Sequence, residues 1–246
     1  MTARHTSLPP SGRSLATTVG LDPHATVAPS GTVALFDLDR TLVPGSSLVA
    51  LGRMMASRGM VSRRRLLLAA AQDRRFRWHG ATDASVARLR ADALRHVAGI
   101  EQDRLLEVLT EVGRHVIDDV LPGAKALLRR HRAAGDFIVI LSASPQELVE
   151  VVAAGVGAHR AVGTRAGIDT GRYSGELDGP FCYGAGKIDR VTAELGSGVV
   201  ESAVAYADSI SDLPLLERAA EPIAVNPDRR LAQVARRNGW PVLRFS

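Results

Sequence analysis

Two aspartates that directly follow a short apolar run suggest chemistry. Residues 33–36 are apolar and lead into Asp37 and Asp39. Side chains two positions apart in an extended chain point the same way, so both carboxylates would emerge just past a buried strand. Close carboxylates repel unless a metal ion or a proton is shared between them, and Mg²⁺ prefers oxygen ligands. Because a carboxylate can also act as a nucleophile and form an acyl-phosphate, the pair predicts phosphoryl chemistry.

The same pattern has a structural interpretation, in which the aspartates cap the helix that follows the strand. Polar residues at the ends of other apolar runs favour chemistry over capping. Ser142 follows the run 137–141, Asp208 follows the run 202–207, and Asp212 lies in the next turn. Parallel strands place their carboxyl ends on one sheet edge, so these groups are expected to converge there.

Short apolar runs typical of strands alternate with segments of helical periodicity, and this alternation predicts the fold. After Pro122 the pattern indicates a mostly parallel, three-layer α/β sandwich of the Rossmann-like kind. The predicted helices lie at 122–134, 145–154, from Lys187 to about 196, and 213–220; the predicted strands lie at 32–38, 137–141, 161–162, 202–207, 223–225 and 242–245, with a small hairpin at 172–182.

A helical segment without strand signals interrupts this alternation. Apolar residues recur at helical spacing in three stripes, and Ser62 could cap a further helix through about residue 78. The stripes are Leu48, Leu51 and Met55; Val86, Leu89, Ala93 and Val97; and Leu105, Val108, Leu109, Val112 and Val116. We therefore predict an inserted helical cap at 46–119, a catalytic core at 31–45 and 120–246, and a flexible tail at 1–30.

Composition narrows the class of protein. A hydrophobic content of 46% is enough for a core, and no apolar run reaches the roughly 18 residues of a membrane helix. The single Cys182 excludes an internal disulfide and a cysteine-based zinc site, and we expect it to be a packed residue. A reducing, cytoplasmic setting is the resulting expectation.

The positive charge has several interpretations. The net charge is +5 and the pI about 10.1, which is compatible with nucleic-acid binding. However, only two basic residues are lysines, and such uniform arginine enrichment is not typical of a binding face. The one cluster, at 63–65 with Arg74, Arg75 and Arg77, is either a solvated helix face or a contact for an anionic substrate, a membrane surface or RNA. We expect no nucleic-acid partner.

Four sequence motifs in order resemble those of the haloacid dehalogenase superfamily, in its phosphatase branch. They are 37–41 (Asp-Leu-Asp-Arg-Thr), 141–142 (Leu-Ser), 186–187 (Gly-Lys) and 208–212 (Asp-Ser-Ile-Ser-Asp). The helical insertion after the first motif resembles the type-one cap of the phosphoserine-phosphatase-like subgroup. The resemblance covers residues 31–246.

The resemblance implies a role for each motif residue. Asp37 would be the nucleophile that carries the phosphoryl group, and Asp39 the general acid and base. Ser142 and Lys187 would hold the non-bridging phosphate oxygens. Thr41 would brace the first loop.

A metal site is also implied by the resemblance. Mg²⁺ would bind the Asp37 carboxylate, the Asp39 backbone carbonyl and the Asp208 carboxylate. Asp212 would not bind the ion directly but would orient Lys187 or metal-bound water.

The chain departs from phosphoserine phosphatases at two places, which leaves the substrate open. Ser46 stands where those enzymes carry a cap glutamate, and 142–144 reads Ser-Ala-Ser where they have Ser-Gly-Gly. We therefore predict a phosphatase for a small phosphorylated metabolite, with phosphoserine one candidate. The alternatives are a phosphotransferase or mutase with the same intermediate, or a non-catalytic module that binds anions or RNA in a salt-sensitive way without needing Asp37.

Overall fold

The computed structural model describes residues 31–62 and 83–245. The predicted tail at 1–30, the predicted helix from Ser62 to residue 78 and the arginine cluster at 63–77 lie outside the described residues, apart from Ser62 itself. Among the residues described, no helix is both long enough and apolar enough to cross a membrane.

A six-stranded, entirely parallel sheet forms the centre of the molecule. Its strand order is β3-β2-β1-β6-β7-β8, which places β1 between β2 and β6. Successive residues of β1 point to opposite faces: Ala34 and Phe36 join one apolar cluster, Val33 and Leu35 the other. This confirms the predicted α/β fold. The strands are β1 (Val33–Asp37), β2 (Phe137–Pro145), β3 (Arg160–Thr164), β6 (Val204–Ala207), β7 (Glu221–Val225) and β8 (Val242–Leu243).

Helices account for most of the remaining described chain. In chain order they are α1 (Ser47–Ser57), α2 (Asp83–Val97), α3 (Gln102–Asp118), α4 (Pro122–Ala134), α5 (Gln146–Val156), α6 (Gly186–Leu195), α7 (Leu213–Arg218) and α8 (Arg229–Asn238). The buried stripe of α3, which includes Leu105 and Val112, belongs to the same apolar cluster as Phe36. Helices α1 and α3 thus pack as one body with one face of the sheet, while the boundaries of the cap at 46–119 stay a prediction.

The small hairpin begins earlier than the sequence pattern suggested. It consists of β4 (Ala166–Asp169) and β5 (Arg172–Leu177), so the predicted range 172–182 contained only the second strand and extended too far beyond it. Thr170 and Gly171 both have positive φ, 48° and 77°, which is the geometry of a tight two-residue hairpin turn. The amide of Gly99 and the carbonyl of Ile100 bond to the backbone of Tyr173, so the hairpin also holds the turn between α2 and α3.

Other predicted elements differ in detail. Ala93 is exposed, whereas its neighbour Leu94 is half-buried, so Leu94 replaces Ala93 in the predicted inward stripe of α2. Strand β2 continues to Pro145 rather than ending at Leu141, although its pairing with β3 becomes irregular there. Cys182 is fully buried, and burial raises the pKa of its thiol to about 11, as expected of a packed residue.

Candidate active site

Three neighbouring strands deliver the predicted polar residues to one edge of the sheet. Asp37 is the last residue of β1 and is paired with Leu141 of β2, which places Ser142 one step further along. Asp208 directly follows β6 on the other side of β1. The carboxyl ends of parallel strands therefore bring these groups together as the sequence predicted.

Lys187 lies between two of the aspartates. Its Nζ is 2.6 Å from Asp37 Oδ1 and 2.7 Å from Asp212 Oδ1, and all three side chains are buried. Burial alone would lower the pKa of Lys187, but the charges of Asp212 and Asp37 raise it well above its ordinary value. The ammonium group is therefore a fixed positive charge beside the Asp37 carboxylate.

A tight turn after β1 fixes the other oxygen of Asp37. The hydroxyl of Thr41, which is fully buried, donates to Asp37 Oδ2 over 2.9 Å. Arg40 takes the left-handed conformation with φ of 64°, and its guanidinium lies 3.6 Å from Asp208 Oδ2. Both Asp37 oxygens are thus held, which limits the orientations of this carboxylate.

Three buried carboxylates are close enough to share a cation. Asp37, Asp208 and Asp212 each offer an oxygen, and these oxygens lie within 4.8 Å of one another. Burial, followed by the charge of Asp37, raises the pKa of Asp208 well above its ordinary value; burial also raises that of Asp212 to about 6. Asp212 Oδ1 forms an ion pair with Lys187, but among the described residues no donor has hydrogen-bond geometry toward it. Carboxylate oxygens that are buried this close to one another are suitable ligands for a hard divalent ion.

Asp39 is not one of these three carboxylates and contacts the start of helix α1. Its Oδ1 accepts a hydrogen bond of 2.8 Å from the backbone amide of Ser47. Burial raises the pKa of Asp39 to about 6, although the hydrogen bonds from Ser47 act in the opposite direction. A carboxyl group in this environment can exchange a proton near neutral pH.

Two further serines at the site were not found by sequence reasoning. Ser144, at the end of β2, donates its amide to Ser142 Oγ over 3.1 Å, and its hydroxyl lies 2.6 Å from that of Ser47. The sequence signal was only a serine at a helix start and another two positions after Ser142. Neither has a spacing that indicates chemistry.

The turn before α6 sets the position of Lys187. A Cβ atom added to Gly186 would lie 2.1 Å from the carbonyl oxygen of Phe181, which is too close for any larger residue without a backbone shift. Gly186 therefore allows the start of α6 to pass close to the Phe181 carbonyl, and the next residue, Lys187, is the buried cation.

Comparison with known proteins identifies related chains. The family model "haloacid dehalogenase-like hydrolase" matches residues 34–217. A probable phosphatase of Mycobacterium tuberculosis (strain ATCC 25618 / H37Rv) is 34% identical over 228 residues, covering 91% of this chain and 79% of that protein. A phosphoserine phosphatase of the same strain is 33% identical over 216 residues, covering 86% and 70%.

Two further similarities extend over nearly the full length of the matched protein. A histidinol-phosphatase of Neisseria meningitidis serogroup C (strain 8013) is 32% identical over 226 residues, covering 87% of this chain and 98% of that protein. The crystal structure of a Bordetella pertussis Tohama I protein of unknown function is similar with a TM-score of 0.74 and 28% identity, covering 87% of this chain and 98% of that chain.

Proposed function

The chain belongs to the haloacid dehalogenase-like hydrolase family and is a phosphatase, and we propose that it hydrolyses small phosphate monoesters through an aspartyl-phosphate on Asp37, with Mg²⁺ as its metal. The observation that carries the proposal is the pairing of Asp37 with Lys187 beside two more buried carboxylates. A carboxylate held in this way can approach a phosphate dianion only if its charge is offset.

The donor set fits Mg²⁺. The Asp37 and Asp208 carboxylates and the Asp39 backbone carbonyl would hold the ion, with Asp212 behind them orienting Lys187. The burial and mutual proximity of Asp37, Asp208 and Asp212 support this assignment. When bound, the ion would neutralise charge on the phosphate and on the carboxylates around it.

The first step transfers the phosphoryl group to the protein. An oxygen of Asp37 forms a bond to phosphorus while the bond from phosphorus to the leaving oxygen breaks. Asp39 donates a proton to that oxygen, so the product leaves as an alcohol. Lys187 and the hydroxyl of Ser142 bind non-bridging oxygens, where negative charge must be stabilised.

The second step returns the protein to its starting state. Water attacks phosphorus, Asp39 accepts a proton from that water, and the bond from phosphorus to Asp37 breaks. Inorganic phosphate leaves and Asp37 is again a carboxylate. The raised pKa of Asp39, about 6, suits a group that donates a proton in one step and accepts one in the next.

The names of two relatives support the proposed substrate class. The relatives named for phosphoserine and for histidinol phosphate both act on small phosphorylated metabolites. Each of those compounds is a phosphate ester of a primary alcohol with an amino group on the adjacent carbon. We include such amino-alcohol phosphates in the proposal, together with a cytoplasmic location. Ser46 replaces the glutamate of phosphoserine phosphatases. Phosphoserine is therefore one candidate among these compounds and not the preferred one.

Phosphate release with and without Mg²⁺ tests the proposed function. The substrates are 4-nitrophenyl phosphate, phosphoserine and histidinol phosphate. We expect Mg²⁺-dependent turnover by the wild type that falls by about 10³-fold or more in Asp37→Asn. Asp118→Asn is the matched control, because Asp118 is exposed at the end of α3. Turnover that survives in Asp37→Asn would contradict the mechanism, and transfer of phosphate to added alcohols would favour a phosphotransferase instead.

A further inference from the structure

Two buried serine hydroxyls join the start of α1 to the end of β2. The Oγ atoms of Ser47 and Ser144 lie 2.6 Å apart, and the exposed fractions of the two residues are 1% and 0%. The residues are 97 positions apart in the chain, so this is a contact between distant segments. Because a buried hydroxyl without a partner is costly, the pair fixes the first turn of α1 relative to the sheet edge.

The same two serines contact groups with proposed roles in catalysis. The Ser47 amide donates to Asp39 Oδ1 over 2.8 Å, and the Ser144 amide donates to Ser142 Oγ over 3.1 Å. A continuous chain of contacts therefore runs from Asp39 through Ser47 and Ser144 to Ser142. It connects the proposed general acid to the proposed phosphate-binding hydroxyl.

The position of Ser47 in its helix strengthens this connection. The first amides of a helix have no intrahelical acceptor and lie at the positive end of the helix dipole. Ser46, at the N-cap, makes no capping bond with its side chain. Asp39 supplies the acceptor from outside the helix, so a shift of the first turn of α1 also shifts this carboxyl group.

We propose that Ser47, through its hydroxyl contact with Ser144, is a positioning residue that places the Asp39 carboxyl group against the leaving oxygen of the substrate. This inference rests on the proposed function, which makes Asp39 the general acid. Removal of the Ser47 hydroxyl keeps the amide bond to Asp39, but it removes the side-chain interaction of Ser47 with that carboxyl group and frees the first turn of α1 from the sheet edge. The Asp39 carboxyl group is still present but is no longer aligned with the leaving oxygen. A small misplacement of a reacting group lowers the reaction rate strongly.

The dependence of rate on the leaving group tests the inference. We compare kcat/KM for phenyl phosphate and 4-nitrophenyl phosphate, both with Mg²⁺. Nitrophenolate leaves without a proton, whereas phenolate needs one, so a misplaced acid affects mainly phenyl phosphate. We expect Ser47→Ala to lower the rate on phenyl phosphate about tenfold more than the rate on 4-nitrophenyl phosphate. Ser47→Thr keeps a hydroxyl and should restore most of the loss.

Two sets of variants complete the design. Ser57→Ala is the matched control, because Ser57 is exposed at the other end of α1 and bonds only within that helix; it should change neither rate. Ser144→Ala breaks the same contact from the other side and should show the same selective loss. The double variant should lose no more than Ser47→Ala alone, because the contact is already broken.

Each outcome decides between the inference and the proposed function. Equal losses on the two substrates, or losses that add in the double variant, would overturn the positioning role while Asp37→Asn still abolishes turnover. Retention of wild-type turnover by Asp37→Asn would overturn the proposed function itself. If Ser47→Ala does not fold, Ser144→Ala and Ser47→Thr carry the same comparison.

Discussion

The two lysines of this chain have opposite surroundings. Lys125 is exposed on α4, whereas Lys187 is 3% exposed and lies between Asp37 and Asp212. In a chain whose positive charge is otherwise carried by arginine, a lysine at this point is informative. A compact ammonium group with three donors can bond two carboxylates and still have a donor for a phosphate oxygen.

Replacement of Lys187 by methionine tests its double role. The variant leaves buried carboxylates without their cation, so the free energy of unfolding should fall by about 3–5 kcal/mol. Turnover should fall at least about 10²-fold, because a charge that stabilises the transition state is lost. Urea unfolding and phosphate release measure the two effects. Lys125→Met, the only other lysine replacement possible, should change neither, and an equally stable Lys187→Met would contradict the ion-pair geometry.

At this scale the sequence predicted the polar residues that follow buried apolar runs, and it missed the contact between the start of α1 and the end of β2. Asp37, Ser142 and Asp208 could be placed because each follows an apolar run, and parallel strands end on one edge. The contact between Ser47 and Ser144 has no such signal, since it depends on how α1 docks on the sheet. Likewise, the sequence did not show that an oxygen of Asp212 lies within 4.8 Å of oxygens of both Asp37 and Asp208.

Among the elements, buried strands were the easiest to predict and turns the hardest. The residues of β1 and the first part of β2 are apolar on both faces, which produces a continuous hydrophobic run. The hairpin was misplaced because its turn at Thr170-Gly171 depends on positive φ at both positions, and threonine is an uncommon residue there. Pairing of the hairpin with the turn after α2 is a long-range feature without a local pattern.

The turn before α6 gives a prediction at the scale of the element. Gly186→Ala would place a Cβ against the Phe181 carbonyl, so the turn must open and Lys187 must move with it. We expect a loss of about 1–3 kcal/mol in the free energy of unfolding, together with lower turnover. Gly45→Ala is the matched control, because nothing lies within 4 Å of the added atom. Urea unfolding and phosphate release distinguish the variants, and an unchanged Gly186→Ala would show that the turn is not constrained.

For the whole molecule, folding itself creates the acidic site. Asp37 and Asp208 lie far apart in the chain, and the pairing of β1 with β6 brings them together. Two apolar clusters, one on each side of the sheet, hold those strands in place. Three carboxylates are thereby held near two cations, Lys187 and Arg40, so folding concentrates more acidic than basic groups at this point.

A cation that binds this site should therefore stabilise the native state selectively. Binding to the folded form alone raises the free energy of unfolding by about 2.7 kcal/mol when the free ligand is at 100 times its Kd. We expect Mg²⁺ to raise the Tm of the wild type in a concentration-dependent way, measured by differential scanning calorimetry without substrate. Asp208→Asn should lose most of the shift, because a charged ligand becomes neutral, whereas Asp118→Asn should retain it. A wild-type Tm that does not respond to Mg²⁺, or an equal response in Asp208→Asn, would argue against a metal held by these carboxylates, and the buried negative charge would then have to be offset by Lys187 and Arg40 alone.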